Sequence, residues 1–412
     1  MRAYEVKQFV KDHGVAAFVE AFSDGLDGRN MPNGVPLDPF RMSFTHLWEA
    51  LVGSVDSSTS LYQQVSEAGA LDHTGFPTVA EKLLSTVMIK GYETRRMVAD
   101  LLVPESMSPK TLTERIPGFT AISSPKLITP GEEYPLADFT DKFAAYEQAL
   151  HNKKEGVEIA LTEEVVRFDQ TGMILRHAQN VGMTIQTERE RRTVRGILGI
   201  GLDTGTAQNG VYFPNGTDTA LYRASENNLR TDAAPIYNHP GAIANSKLVD
   251  YTDIQEVLTV HAQNIKDDRQ LGTTRPIAWM PNAMLIPVSL VSTTANIFNS
   301  TGIQVLTPRT TAATDPEVRT TSPNPVVGMF TAFGSGVPVP VASVFADEVS
   351  STAWVVYDRQ STFVRVNIFP FQVFRSPVGY GWNRDILMSV RAREWSRIVA
   401  IDHKLSLRND GA

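Results

Sequence analysis

Asp203-Thr204-Gly205 is the triplet in this chain that comes nearest to a catalytic motif. A carboxylate on such a turn serves aspartic-type hydrolysis, where two carboxylates share one proton. The sequence holds one such triplet, so a symmetric dimer would have to supply the second. Without it, Asp203 marks a turn behind a helix. Other constellations fail on spacing. His13, His46, His73, His151, His177, His239, His261 and His403 never pair at the helical spacing that sets two imidazoles around a metal. Gly199-Ile200-Gly201 follows a helical stretch where a nucleotide loop would open one, and its third glycine is misplaced. No phosphate-binding P-loop motif occurs. Phe333-Gly334-Ser335-Gly336 lacks the glycine that a nucleophile elbow needs two residues before the serine. With no cysteine, thiolate nucleophiles, thiolate metal sites and disulfides are excluded. The residues therefore offer no catalytic, cofactor-binding or metal-ligating set.

One cationic cluster stands out. Arg189, Arg191, Arg192 and Arg195 crowd the stretch TERERRTVR. A phosphate patch is one reading, but Glu188 and Glu190 interleave with them, so a salt-bridged, solvated face fits better. The net charge of −7 argues against a protein whose main task is to grip nucleic acid, though not against one that encloses it. Hydrophobic and charged contents of 42% and 20% are those of a globular chain, and 412 residues suffice for two or three domains or one elongated subunit. The N-terminus MRAYEVKQFVKDHG has no apolar signal core, and no run approaches a membrane span. The expectation is a soluble protein, intracellular where it is made.

The element that must position the arginines is residues 162–199. Thr162 is a good N-cap, and Glu163 and Glu164 follow in the first turn, where carboxylates suit the positive helix end. Ile174, Ala178, Val181 and Ile185 trace one helix face. Gly172 divides a short lead-in helix from a long one, and Gly199 is the stop. A helix over 171–198 would be ~42 Å long at ~1.5 Å per residue, a length that suits a central core helix or the spine of an extended subunit.

Around this spine the chain reads in order. Residues 1–60 form an irregular arm with a short helix over 15–22, and glycine, proline and asparagine mark loop after it. Residues 78–103 form a second long helix, ended by Pro104. Residues 120–161 make a long two-stranded loop, turning at Pro130-Gly131 and carrying little apolar content, so that it must lean on another surface. Residues 251–267 read as a helix, 276–288 as an apolar extended run, 290–300 as a short helix and 307–325 as loop. Residues 354–357 and 363–368 read as two strands around the turn at Asp358. Ile386, Met388, Val390 and Ala392 alternate as a strand with one buried face, and residues 398–407 suggest its partner.

This order of parts resembles the major capsid (head) proteins of tailed bacteriophages, whose fold encapsulins share. IALTEEVVRFDQTG is similar to the segment where their extended loop returns and the spine begins. DDRQLGTTRPIAWMPNAMLIPV resembles their helix-turn-strand of the axial domain, NPVVGMF and AWVVYD later axial strands, and DILMSVRAREWSRIVAIDHKLSLRNDG the closing strands. The resemblance runs from about residue 78 to the end. It implies an α+β, major-capsid-type fold: an N-terminal arm and irregular segment (1–77), a peripheral-domain helix and incoming strand (78–119), an extended β-hairpin loop (120–161), a spine helix (162–202), an axial domain (203–375) and C-terminal strands completing the peripheral domain (376–412). It further implies a non-enzymatic subunit, without cofactors, that builds pentamers and hexamers of an icosahedral shell around double-stranded DNA. Its partners would be its own copies, a portal and scaffolding or decoration proteins, with no membrane. Its place would be the virion, after assembly in the host cytoplasm. The loop tip, Pro130, Gly131, Glu132, Glu133, Tyr134 and Pro135, would touch a neighbouring subunit, with Arg189, Arg191, Arg192 and Arg195 as candidate charge partners. Some relatives crosslink through lysine and asparagine; Lys126, Lys142, Lys153 and Lys154 lie in or near the loop without establishing that chemistry. An encapsulin-type compartment is the alternative, an aspartic-type hydrolase using Asp203 a more distant one, and an adhesin or other β-rich phage structural protein a third.

Overall fold

The computed structural model describes residues 3–26, 43–51, 76–94, 97–108, 155–169, 172–199, 222, 247–264, 266–267, 275–276, 281–299, 302–307, 318–323, 326, 338–375, 386–400 and 405–409. The chain opens with helices α1 (Ala3–Leu26), α2 (Phe44–Leu51), α3 (Phe76–Thr94) and α4 (Ala99–Leu102) and the short strand β1 (Ser106–Met107). Strand β2 (Glu155–Thr162) runs directly into α5 (Glu163–Phe168), which is followed by α6 (Met173–Ile197) and α7 (Tyr251–Asn264). Strands β3 (Lys266–Asp267), β4 (Arg275–Pro276) and β5 (Ala283–Pro287) precede α8 (Val291–Asn299). Then come β6 (Gly302–Thr307), β7 (Val318–Pro323), β8 (Val339–Ser343), α9 (Val344–Asp347), β9 (Trp354–Tyr357), β10 (Phe363–Arg375), β11 (Ile386–Ala400) and β12 (Ser406–Asn409). The architecture is α+β. It divides into two compact units: Met1–Met97 with Lys153–Arg189 and Phe369–Ser396, and Val98–Asn152 with Glu190–Ile368 and Arg397–Ala412.

The first unit is built on α3 and the front of α6. Leu83, Leu84, Val87 and Met88 from α3 meet Ile174, Leu175, Ala178 and Ile185 from α6 in one buried cluster. The two helices touch backbone to backbone. A Cβ on Gly182 would lie 2.1 Å from the Met88 carbonyl oxygen, and one on Gly91 would lie 2.3 Å from that of Gln179. Each glycine therefore makes room for the other helix. Met388, Val390 and Ala392 of β11 close the same core, and β11 pairs antiparallel with β2 in the register Val390↔Ile159 and Arg391↔Glu158.

The second unit contains the sheet β12-β9-β5-β8, with β5 parallel to β8 and antiparallel to β9. Ala283, Leu285, Val355 and Tyr357 face one cluster, while Met284, Ile286, Trp354, Val356 and Leu407 face another. A sheet covered on both faces is apolar at successive positions, which is why AMLIP and WVVY read as unbroken apolar runs. The back of α6 buries Val194, Ile197 and Leu198 here, and several of its last carbonyls find donors. Gly199 takes a φ of 72° and donates its N–H to Gly196, the Tyr222 hydroxyl donates to the Ile197 carbonyl at 2.7 Å, and Arg408 donates to that of Leu198 at 2.6 Å. Burial pushes the Tyr222 and Tyr357 hydroxyls above the ordinary phenol range, so both remain neutral donors, Tyr357 to the Leu102 carbonyl at 2.9 Å.

Several expectations hold. Thr162 caps α5 by accepting from the Val165 N–H, Gly172 has a φ of 69° between α5 and α6, and Ile174, Ala178 and Ile185 are buried with Val181 half-buried. Others are corrected. The short helix expected over 15–22 is present, but helix also fills residues 3–13, across a non-helical Gly14 (φ 81°), and 44–51, placed in the irregular arm, and together these bury Phe18, Phe44, Leu47 and Trp48 completely or nearly so. The helix expected over 78–103 ends at Thr94 and resumes at Ala99, because the Val98 N–H is taken by the Glu190 carboxylate at 3.1 Å. Residues 307–325, read as loop, include β7, which pairs with β6. The strands flanking the Asp358 turn are not paired with each other: β9 lies between β5 and β12, β10 beside β1 and β11. The partner of residues 386–393 is β2, and residues 398–400 continue β11 itself, whereas β12 pairs with β9.

Candidate functional site

The described residues form no metal-binding cluster of histidine and carboxylate side chains. His13 and His177 are exposed and His46 is half-buried. Asp203 and its Thr-Gly neighbours lie outside the described residues, as do Ser335 and the four loop lysines. A cavity of about 450 Å³ in the second unit is lined by Ile286, Val291, Thr294, Phe298, Pro340 and Ala342 among others, with no titratable side chain on its wall. Among the described residues no helix is long and apolar enough to cross a membrane.

What the structure does build is a junction between β2, α5 and α6. The expected loop tip, residues 130–135, lies outside the described residues; β2 is locked to β11 over eight residues of register from Thr162 to Glu155. Ser389 donates to the Glu158 carboxylate at 2.6 Å, and Arg391 reaches the same group at 3.3 Å. At the far end of β2 the chain turns through α5, held by the Arg167–Glu163 ion pair at 2.8 Å. Asp169 then fixes three elements at once. Its carboxylate accepts from the Phe44 N–H at 2.9 Å and the Met173 N–H at 3.0 Å, the first residues of α2 and α6. Thr45 donates its hydroxyl to the Val166 carbonyl at 2.7 Å. Free N–H groups at two helix starts converge on one anion, as the positive ends of helices demand. Sequence reading missed Asp169, because its partner Phe44 is 125 residues away.

The four arginines do not gather into one patch. Arg189 belongs to the first unit and donates to the Tyr92 hydroxyl at 2.6 Å, 3.7 Å from the buried Glu394 carboxylate. The Tyr92 ring stacks on Phe371 at 4.3 Å, which fixes the hydroxyl in place. Arg191 belongs to the second unit and pairs with Glu348 at 2.8 Å, both side chains partly exposed. Arg192 is buried and Arg195 half-buried. Helix periodicity separates Arg189 from Arg191, which are two apart, whereas the i, i+3 and i, i+4 spacings do not separate Arg192 or Arg191 from Arg195; the four differ in burial and partners.

The sequence matches the phage capsid protein family over residues 147–401, more than half of the chain. No curated protein sequence matches it. Among solved structures, the chain is similar to the virus-like particle from Pyrococcus furiosus, at 10% identity and a TM-score of 0.41, over 80% of this chain and 98% of that one. It is similar to the capsid of Myoviridae phage XM1, at 9% identity and a TM-score of 0.38, over 72% and 86%. The satellite phage P4 procapsid, which includes the size determination protein, gives 10% identity and a TM-score of 0.38, over 79% and 98%. The matched stretch takes in β2, the junction at Asp169, the whole of α6 and β11, and on that match the chain belongs to the phage capsid protein family.

Proposed function

We propose that this capsid protein is the major subunit of an icosahedral shell, built from pentamers and hexamers, that encloses packaged double-stranded DNA. Membership of the phage capsid protein family carries the reading. The first unit corresponds to a peripheral domain and the second to an axial domain, with residues 120–161 as the extended loop between subunits. Its role is structural, and no catalytic step is assigned to Asp203 or any other residue. The net charge of −7 fits an inner wall that must hold DNA without binding it tightly, since strong phosphate contacts would oppose packing and release. Closed shells distribute binding over many weak contacts, and multivalency makes the whole stable. Portal and scaffolding or decoration proteins complete the set of partners, with assembly in the host cytoplasm and residence in the virion.

Of the four arginines, Arg191 is the one a neighbour's carboxylate reaches most readily, because its pair with Glu348 is exposed (37% and 41% of the two side chains). Electron microscopy and sedimentation of the purified chain test the reading. Closed shells, or rings of five or six, are expected. A strictly monomeric protein at high concentration refutes it. Shells recovered from the producing cell with no nucleic acid, by absorbance ratio and nuclease protection, refute the DNA-enclosing part alone.

A further inference from the structure

The cavity in the second unit is a cleft between a helix and the edge of a sheet. One wall is a single stripe of α8: Val291, Thr294, Ala295, Phe298 and Asn299 recur at three, one, three and one residues, the spacing of one helix face. The other wall is Pro338, Pro340 and Ala342, alternate positions along β8 and the residue before it. Apolar surface continues outside the cleft, since Val291 on α8 and Val339 on β8 are 41% and 57% exposed. Strand β8 ends its sheet among the described residues. Val339 donates its N–H to the Asn282 carbonyl, on the β5 side, at 3.2 Å, and the parallel register repeats that orientation at Val341. The backbone groups of Pro340 and Ala342 therefore point to the free side. Pro340 has no N–H to give, which guards the edge against a long, flat strand. What stays open is the Pro340 carbonyl with the N–H and carbonyl of Ala342. Beyond them Ser343 leaves the strand and caps α9, its hydroxyl accepting from the Phe345 N–H at 3.3 Å.

We propose that this cleft binds a short, extended, uncharged apolar peptide segment of a second protein, its backbone paired with Ala342 and its alternate side chains set against the α8 stripe. The inference needs only the second unit and stands whether or not the chain closes a shell. The walls select the occupant. No titratable side chain lines the cleft, so a charged side chain entering it would lose hydration and gain no counter-charge. A helix satisfies its own backbone groups and takes nothing from a strand edge. An extended chain pairs with the edge and presents side chains at the two-residue period of the strand wall. The volume of about 450 Å³ lies within the roughly 300–1,000 Å³ that binding clefts span. Pro340 limits the pairing to the stretch around Ala342, so the segment is held by a few backbone bonds and chiefly by its side chains.

A displayed library of random heptapeptides tests this. It is selected on the full chain and counter-selected on Ala295→Trp, which fills the cleft from an exposed position of α8. The enriched peptides are expected to share uncharged, apolar residues at alternate positions and to bind Ala295→Trp at least about tenfold more weakly than the parent chain. Thermal unfolding of the variant should match the parent. Should it not, Val339→Glu, on the opposite wall and 57% exposed, takes its place and lowers affinity in the same way. Methylating the backbone nitrogens of the best peptide one at a time should weaken it at least about tenfold at the positions that pair with β8. A photoreactive benzophenone on the same peptide should crosslink to α8 and β8, read by mass spectrometry. A library in which no peptide separates parent from variant overturns the proposal. Equal affinity of every methylated form also does, because the site is then an apolar pocket without strand pairing. Crosslinks outside α8 and β8, or enriched peptides that share a charge at the entering positions, overturn it too. So does enrichment of segments of this chain's own sequence, which would assign the cleft to another copy.

Discussion

Two glycines in α6 look equivalent in the sequence and are opposite in consequence. Gly182 and Gly196 both sit inside the helix, where alanine is favoured over glycine by about 1 kcal/mol on propensity alone. At Gly196 an added Cβ would meet Ile398 at 3.4 Å, ordinary contact, so Gly196→Ala is expected to be neutral or to stabilise by up to about 1 kcal/mol. At Gly182 the Cβ would stand 2.1 Å from the Met88 carbonyl oxygen and 2.8 Å from the Tyr92 backbone nitrogen. Neither atom is on a side chain that can swing aside, so the helices must separate, and overpacking of about 3 kcal/mol or more outweighs the propensity gain. Urea unfolding of the two variants checks this. Equal midpoints would mean that α3 and α6 are not in backbone contact.

Elements were legible where their signal was local. Ile174, Ala178 and Ile185 repeat on one face of α6, and that face is the buried one. The helix α2 carried the same signal in Phe44, Leu47, Trp48 and Leu51, spaced three, one and three, but glycine and proline before it drew the reading toward loop. Strand pairing was not legible. The turn at Asp358 carries the chain from β9 in one sheet to β10 in another, and turn chemistry is the same whether or not the strands it joins become partners. β11 lies between β10, the strand just before it, and β2, more than 200 residues earlier, and nothing local in β11 or β2 encodes that second pairing. Asp169 is the element-scale counterpart: a polar residue after a short helix, whose role appears only when two helix starts converge on it. Asp169→Ala leaves the Phe44 and Met173 N–H groups without that acceptor and is expected to cost about 2–4 kcal/mol. Asp169→Asn keeps one acceptor oxygen and should cost about half as much. Hydrogen exchange at the first turns of α2 and α6 reads the effect locally. Protection unchanged in the alanine variant would mean the junction is held by packing alone.

At the scale of the whole molecule, each unit has a core of its own among the described residues. In the first, α1, α2, α3, α6 and β11 bury their apolar faces against one another, from Phe18 through Leu83 to Val390. The cores of the second unit close in the same way around β5 and β9. The tip has no apolar run to contribute to either, and Glu132 beside Glu133 would be costly to bury without a cation. On the proposed reading the tip contacts another copy, and its removal should then separate folding from assembly. Replacing residues 130–135 by a short Gly-Ser link leaves the root strand β2 and its register with β11 untouched. We expect a thermal midpoint within a few degrees of the parent chain, since a change of about 1 kcal/mol moves it only about 2–4 °C in a unit of roughly 150–250 residues. Sedimentation of the same sample should show the assembled fraction lost or strongly reduced. Normal shells from the shortened chain would show that the tip is not a contact between subunits. Failure to fold would place it in a core, and β2 would then be held from its loop side as well as from β11.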